Sequence, residues 1–280
     1  MRMTQARLPS FLVIGAAKAA TTWIAQQFRS RADIFIPGPE PHFFSREYSR
    51  GLGWYADWFA DARADQLVGE KSADYLADAN APARIYAHLP MARLIVQLRN
   101  PVERAYSDFC MLYRRGQVDH EVSRHLDWNR TKVRRFLADG LYAQHLRRYL
   151  DYFPAEQLTI LLHDEVAHTP ERALARVSSA LGITPWPAQT LVAKRVNDGQ
   201  AALVPLFLRR LPGPIKHVAA PLRGWGPFER CRSLIARKVD YPPLPAETRR
   251  RMEDFYRHDV EELGRLLRLD LSSWLIPLDV

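Results

Sequence analysis

The sequence predicts an α/β fold, a parallel central sheet flanked by helices. Three observations carry that reading. Short, largely apolar runs stand at Phe11–Gly15, Arg93–Leu98 and Leu158–Leu162, the pattern of strands buried on both faces. Each is followed by a segment of helical periodicity, and strand–helix alternation is what a parallel sheet requires, since its crossovers must return over a face. Finally, 280 residues, 47% hydrophobic and 25% charged, suffice for one large domain with its own core and do not force a second. We read residues 1–280 as a single domain.

The elements follow in order. Phe11-Leu-Val-Ile-Gly15 opens through Ala16-Ala-Lys18-Ala-Ala-Thr-Thr22 into a helix that runs to about Arg29. Residues 33–60 mix proline, glycine and aromatics and predict loops with short elements. Ala81 to Leu89 is helical. The strand at 93–98 breaks at Asn100-Pro101, and Pro101 suits the first turn of a helix from about Val102 to Arg115. An amphipathic helix at Leu141–Tyr152 is stopped by Pro154, and the strand at 158–162 precedes a helix at Pro170–Leu181. Pro245–Leu267 is a long final helix. Between residues 198 and 243 the periodicity weakens, and Leu206, Phe207, Trp225 and Phe228 stand among prolines and arginines. So long a connection in a compact domain is expected to serve function, here as a mobile lid or acceptor-binding segment; the alternatives are a surface helical hairpin packed on the core and an amphipathic helix that meets membrane lipid.

Forty Lys and Arg against 31 Asp and Glu give a formal net charge of +9. That excess attracts anions, whether nucleotides, sulfated or carboxylated substrates, nucleic acid or anionic lipid, and does not choose among them. Two cysteines, Cys110 and Cys231, exclude a disulfide framework and show no metal-ligand spacing. No stretch approaches the ~20 apolar residues of a membrane span, and the apolar run after Pro9 is too short for a secretory signal. The expectation is a cytoplasmic protein without stable membrane insertion.

A buried strand that opens through small residues into a helix is a phosphate-binding device, because backbone N–H groups and the helix dipole face the anion. Here Lys18 adds a mobile charge, Thr21 and Thr22 add hydroxyls, and Ala19 and Ala20 allow close approach. The loop does not match G-x-x-x-x-G-K-[ST], and a plain strand–helix connection with a surface Lys18 is the alternative. The second strand ends in Arg99-Asn-Pro-Val-Glu-Arg-Ala-Tyr-Ser107, at the carboxyl edge where α/β sheets bind ligands. An ATPase would more often place an acid here to hold magnesium. An arginine, with Ser107 two turns on, points to a second phosphate bound without a metal. Two separated phosphate sites describe 3′-phosphoadenosine-5′-phosphosulfate (PAPS).

At these segments the chain resembles the PAPS-dependent sulfotransferase superfamily, and within it the heparan sulfate glucosaminyl sulfotransferases and their bacterial relatives. Lys18-Ala-Ala-Thr-Thr-Trp23 resembles the 5′-phosphosulfate loop, and Arg99 to Ser107 the 3′-phosphate motif. Glu40-Pro-His-Phe-Phe44, Gly51-Leu-Gly-Trp-Tyr55, Val68-Gly-Glu-Lys-Ser72 and Gly140-Leu-Tyr142 through Pro154 extend the likeness over roughly residues 10–185. The resemblance implies a P-loop-like fold with PAPS as co-substrate. It implies that Lys18, Ala19, Ala20, Thr21 and Thr22 hold the 5′-phosphosulfate, that Arg99 and Ser107 hold the 3′-phosphate, and that Trp23 lies against adenine. It places Glu40 as general base, with His42 and Lys71 beside it. Two departures stand out: alanines replace the loop glycines at 19 and 20, and Ser45 replaces an acid that often follows the two phenylalanines.

Sulfuryl transfer needs in-line positioning and charge stabilisation. Lys18 fits the bridging oxygen, while Glu40 and His42 are both candidates for the base. In an extended segment residues 40 and 42 point to one side. Lys71 would stabilise sulfuryl oxygens or orient Glu40. The plainer alternatives are a solvated Glu40, a His42 packed beside Phe43, and a Lys71 paired with Glu70 or Asp74. No metal is called for. The rivals are a P-loop kinase or ATPase and a non-catalytic basic module on nucleic acid or membrane. The ordered phosphate motifs favour neither. The expected acceptor is a small-molecule or glycan alcohol, not a nucleic acid, and the Ala- and Arg-rich composition hints at a bacterial natural-product enzyme.

Overall fold

The computed structural model describes residues 7–187 and 239–275. Five parallel strands form the sheet: β1 (Phe11–Gly15), β2 (Ile34–Phe35), β3 (Leu67–Lys71), β4 (Arg93–Leu98) and β5 (Leu158–Leu162), in the order β2-β3-β1-β4-β5. The helices that follow them are α1 (Thr21–Arg29), α2 (Gly51–Asp57), α3 (Ala81–His88), α4 (Pro101–Arg114), the short α5 (Val122–His125) and α6 (Arg135–Ala138), α7 (Tyr142–Leu150), α8 (His163–His168), α9 (Pro170–Leu181) and α10 (Ala246–Leu267).

The apolar runs are explained by burial on both faces. Leu12, Ile14, Leu94, Val96 and Leu98 join a core with Val102 and Ala105 of α4, Leu146 of α7 and Tyr256 of α10. The alternate residues Phe11, Val13 and Ile95 pack against Ile24 and Phe28 of α1 and Leu174 and Val177 of α9. The period-2 alternation of a strand thus feeds two apolar layers. From the central β1 the chain builds β2 and β3 on one side, then crosses to β4 and β5 on the other. The carboxyl ends of β1, β3 and β4 therefore flank a topological switch point, where open α/β sheets bind ligands.

β3 escapes a reading by apolar periodicity, since Gly69, Glu70 and Lys71 fill three of its five positions. Its place beside β1 is sterically set. Gly69 pairs with Phe11, and a Cβ there would come within 2.0 Å of the Phe11 ring. β2 is two residues long and sits at the edge. The amphipathic helix expected at 141–152 is Tyr142–Leu150; its start is fixed by Asp259 of α10, whose carboxylate accepts the N–H groups of Ala143 and Gln144, each at 3.1 Å. α4 starts where Asn100 Oδ1 accepts the N–H groups of Val102 and Glu103, an N-cap in front of Pro101.

The segment expected to form a lid lies outside the described residues except for 239–243, where the Pro242 carbonyl accepts the Tyr106 hydroxyl at 3.0 Å. Cys231 also lies outside them. Among the described residues no helix is long and apolar enough to cross a membrane.

Candidate active site

Two clusters of polar residues stand at the carboxyl edge. The first follows β1 and β4. Lys18 and Ala20 take left-handed backbone conformations, φ 71° and 65°, which turn the chain sharply between β1 and α1. No side chain caps α1, and while the Trp23 N–H turns back to the Ala20 carbonyl at 2.9 Å, the N–H groups of Thr21 and Thr22 stay available to an anion. The alanine that replaces glycine at 20 thus occupies a conformation that favours glycine, whereas Ala19 is buried and shows no positive φ. Thr21 is buried, Thr22 half-buried, and Trp23 half-buried against the apolar layer under α1.

Burial pushes the Lys18 ammonium below its ordinary pKa, with Asp108 opposing and Arg115, Arg99 and Arg104 adding to the fall. No carboxylate of the described residues lies within ion-pair distance of Lys18. Arg99 follows β4 and reaches back to the Lys18 carbonyl at 3.4 Å, so the loops after β1 and β4 meet. Its guanidinium is 3.8 Å from Glu103, which is itself bound by Arg249 of α10 at 2.6 Å. Asn100 Nδ2 donates to the Trp274 carbonyl at 3.1 Å, so the C-terminal region braces this motif. Ser107 sits half-buried on α4. Arg104 escapes the sequence reading. Wholly buried, it donates to the carbonyls of Arg135 and Phe136 and lies 4.0 Å from Asp108. Its spacing of three from Pro101 and four from Asp108, both buried on α4, is the signal that places it on that face.

The second cluster lies at the end of β3. Lys71 Nζ donates to Glu40 Oε1 at 2.5 Å, and Glu40 Oε2 accepts the Ala73 N–H at 2.8 Å. The alternative pairing of Lys71 with Glu70 or Asp74 is therefore overturned. Adjacent strand residues point to opposite faces, and Glu70 turns into the core, where Tyr55 and Ser72 donate to it. Burial raises the Glu70 carboxyl to about 7, against the pull of those hydrogen bonds. Arg29 ties α1 to the loop before Glu40, donating to the Pro37 and Gly38 carbonyls at 2.6 and 2.7 Å.

His42 is not in an extended segment, as expected from sequence, but at φ 52°. Its N–H bonds to Ser72 Oγ at 2.9 Å. Its ring bonds to Asp74 at 2.7 Å through Nδ1. It nevertheless meets Glu40, since side-chain atoms of Glu40, His42 and Asp74 lie within 4.8 Å of one another. The aromatic segment after Gly51 packs into the core: Tyr55 and Phe59 are buried, with Phe43 stacked on Tyr55 at 4.4 Å.

A family model described as the sulfotransferase family matches residues 44–188, half of the chain. This protein belongs to the sulfotransferase family. Among its relatives, heparan sulfate glucosamine 3-O-sulfotransferase 6 of Homo sapiens is 32% identical over 191 residues, covering 63% of this chain and 53% of that one. Heparan sulfate glucosamine 3-O-sulfotransferase 3B1 of Mus musculus is 30% identical over 262 residues, covering 90% and 61%. The chain thus spans between half and two thirds of the length of these relatives. A solved sulfotransferase from Alicyclobacillus acidocaldarius superposes with a TM-score of 0.69 at 25% identity, covering 96% of this chain and 99% of that one. The architecture is the P-loop-like sulfotransferase fold. The family match contains Lys71, Arg99 and Ser107 and begins after Lys18, Glu40 and His42.

Proposed function

We propose that this sulfotransferase moves the sulfuryl group of PAPS to an acceptor hydroxyl, with Glu40 as general base and Lys18 stabilising the leaving phosphate. The observation that carries it is the convergence of the loops after β1 and β4, which bring to one edge a guanidinium and a half-buried ammonium with no ion-pair partner among the described residues. A desolvated ammonium among Arg99, Arg104 and Arg115 fits a polyanionic nucleotide better than a solvated surface lysine would. PAPS supplies an activated sulfuryl group. Lys18, Thr21, Thr22 and the uncapped start of α1, behind the small residues Ala19 and Ala20, hold its 5′ end. Arg99 and Ser107 hold the 3′-phosphate, and Trp23 meets the adenine.

At the reacting end, Glu40 is pinned by Lys71 and the Ala73 N–H, so its carboxylate is oriented before an acceptor arrives. It takes the acceptor's hydroxyl proton as the new S–O bond forms. The bridging S–O bond breaks with its electron pair passing to the phosphate oxygen, where Lys18 balances the growing charge. The relatives named above carry glucosamine in their names, so a glycan alcohol is a proposed acceptor class beside a small-molecule alcohol. The test is calorimetry with 3′-phosphoadenosine 5′-phosphate (PAP) and AMP, together with a screen of candidate alcohols with labelled PAPS. Preference for PAP and label transfer to an alcohol are expected. Equal affinity for both nucleotides, with no transfer, overturns the reading.

A further inference from the structure

Beside the Glu40–Lys71 pair stands a second one that the reaction as described does not use. Asp74 lies three residues past the end of β3, and both of its oxygens serve the turn that begins at His42. Oδ1 is 2.7 Å from His42 Nδ1. Oδ2 accepts from Ser45 Oγ at 2.9 Å and pairs with Arg46 Nε at 2.9 Å. The His42 backbone is fixed as firmly, through its N–H to Ser72 Oγ and its carbonyl to the N–H groups of Arg46 and Glu47.

An ionised carboxylate only accepts, so the hydrogen in the Asp74–His42 bond belongs to Nδ1. Asp74 is held in its ionised form. Burial pushes its carboxyl up, but the His42 bond, the charges of His42 and Arg46, and Ser45 together bring it below its ordinary value. With Nδ1 committed, a neutral His42 carries its lone pair on Nε2, which has no hydrogen-bond partner among the described residues. The choice of tautomer is made by the partner of the other nitrogen.

We propose that Asp74 is a positioning residue that holds His42 as the Nδ1–H tautomer, leaving Nε2 to accept a hydrogen bond from a second donor group of the acceptor and so orient the reacting hydroxyl, whose one proton is left for Glu40. This rests on the transferase reading above. Asp74 supplies from the end of β3 a carboxylate partner that the turn itself lacks, since position 45 is a serine that can only bridge to it.

The groups facing His42 are Asp74, Glu40 and Arg46. The Asp74 bond, the largest influence, raises the imidazole above its ordinary pKa, burial and Arg46 oppose, and Glu40 assists. Protonation converts Nε2 from acceptor to donor, so activity should fall on the acid side through the titration of His42. In Asp74→Asn that limb should move to lower pH, by about one unit, a tenfold change in the protonation equilibrium.

The experiment measures the histidine side-chain nitrogens of the full chain by NMR, wild type and Asp74→Asn, with PAP bound and free. His42 is assigned by the signal lost in His42→Gln. An Nδ1–H tautomer in the wild type, a lower midpoint in Asp74→Asn and unchanged PAP affinity are expected, with the acid limb of kcat/KM moving in step. An Nε2–H tautomer in the wild type overturns the proposal even if Asp74→Asn does not fold. So does a uniform fall in kcat/KM with the limb unmoved, the mark of a merely structural Asp74. Failure of the transferase reading would appear instead as loss of PAP preference or of label transfer, with the tautomer still readable.

Discussion

Glu40 and Lys71 meet at 2.5 Å although 31 residues separate them. Lys71 closes β3, Glu40 follows β2, and these two strands are neighbours in the sheet. Lys71 is buried and Glu40 half-buried, with side-chain exposures of 8% and 29%, so each charge depends on the other for compensation.

Glu40→Gln leaves the buried Lys71 ammonium without its counter-charge, so it should lose stability while staying folded, and it should lower turnover at least ~100-fold, the scale of a lost general base. Lys18→Ala should lower turnover on the same scale through the leaving phosphate. Steady-state rates, with circular dichroism as the folding control, decide this. Near-normal turnover of Glu40→Gln would pass the role of base to His42, and His42→Ala becomes the next variant.

Arg99→Ala removes a charge-assisted contact and should cost about 1.5–3 kcal/mol of PAP binding, while AMP binding changes little. Calorimetry on both nucleotides checks it. A variant that still separates PAP from AMP as the wild type does would remove Arg99 from the 3′-phosphate site.

Two buried groups should give opposing pH dependences of stability. Burial raises the Glu70 carboxyl from 4.5 to about 7, so the folded state binds the extra proton and stability falls as pH rises through that window. Burial, with Arg148 adding, lowers the His145 imidazole from 6.5 to about 4. There the unfolded state binds the extra proton, and stability rises with pH over that window. Together the two slopes largely offset each other between about pH 4.5 and 6.5. Glu70→Gln, which mimics the neutral acid, should therefore leave a protein that weakens more steeply on acidification than the wild type. Urea midpoints from pH 4.5 to 7 measure it, and parallel curves for the two proteins would refute it.

Gly69→Ala should destabilise by about 1–3 kcal/mol, the range for forcing atoms into a packed core. The new Cβ would fall on the Phe11 ring of the neighbouring strand. Urea unfolding at fixed pH checks the sign, and an unchanged midpoint would mean that β1 and β3 can separate without cost.

The sequence by itself determined β1, β4 and β5 and the loops that follow the first two. A strand buried on both faces must be apolar along its length, and a motif just past a strand end stays there whatever else the chain does. Lys18 and Arg99 were therefore legible as candidate anion-binding residues from their local context, and the structure brings the loops that carry them together. The tertiary structure decided the rest. β3 carries Glu70 and Lys71, so its apolar pattern is broken, and its identity as a strand comes from the space that Gly69 leaves for Phe11. The partner of Lys71 and the partner of His42 depend on which strand lies beside which and on how the turns at 40–46 and 72–78 face one another. Glu70, Lys71 and Asp74 lie within five residues of one another, and any of the three could have met Glu40 or His42. Alternation along β3 turns Glu70 into the core, Lys71 to Glu40, and the turn beyond carries Asp74 to His42. Such pairings are contacts between residues some thirty positions apart, and no local spacing encodes them.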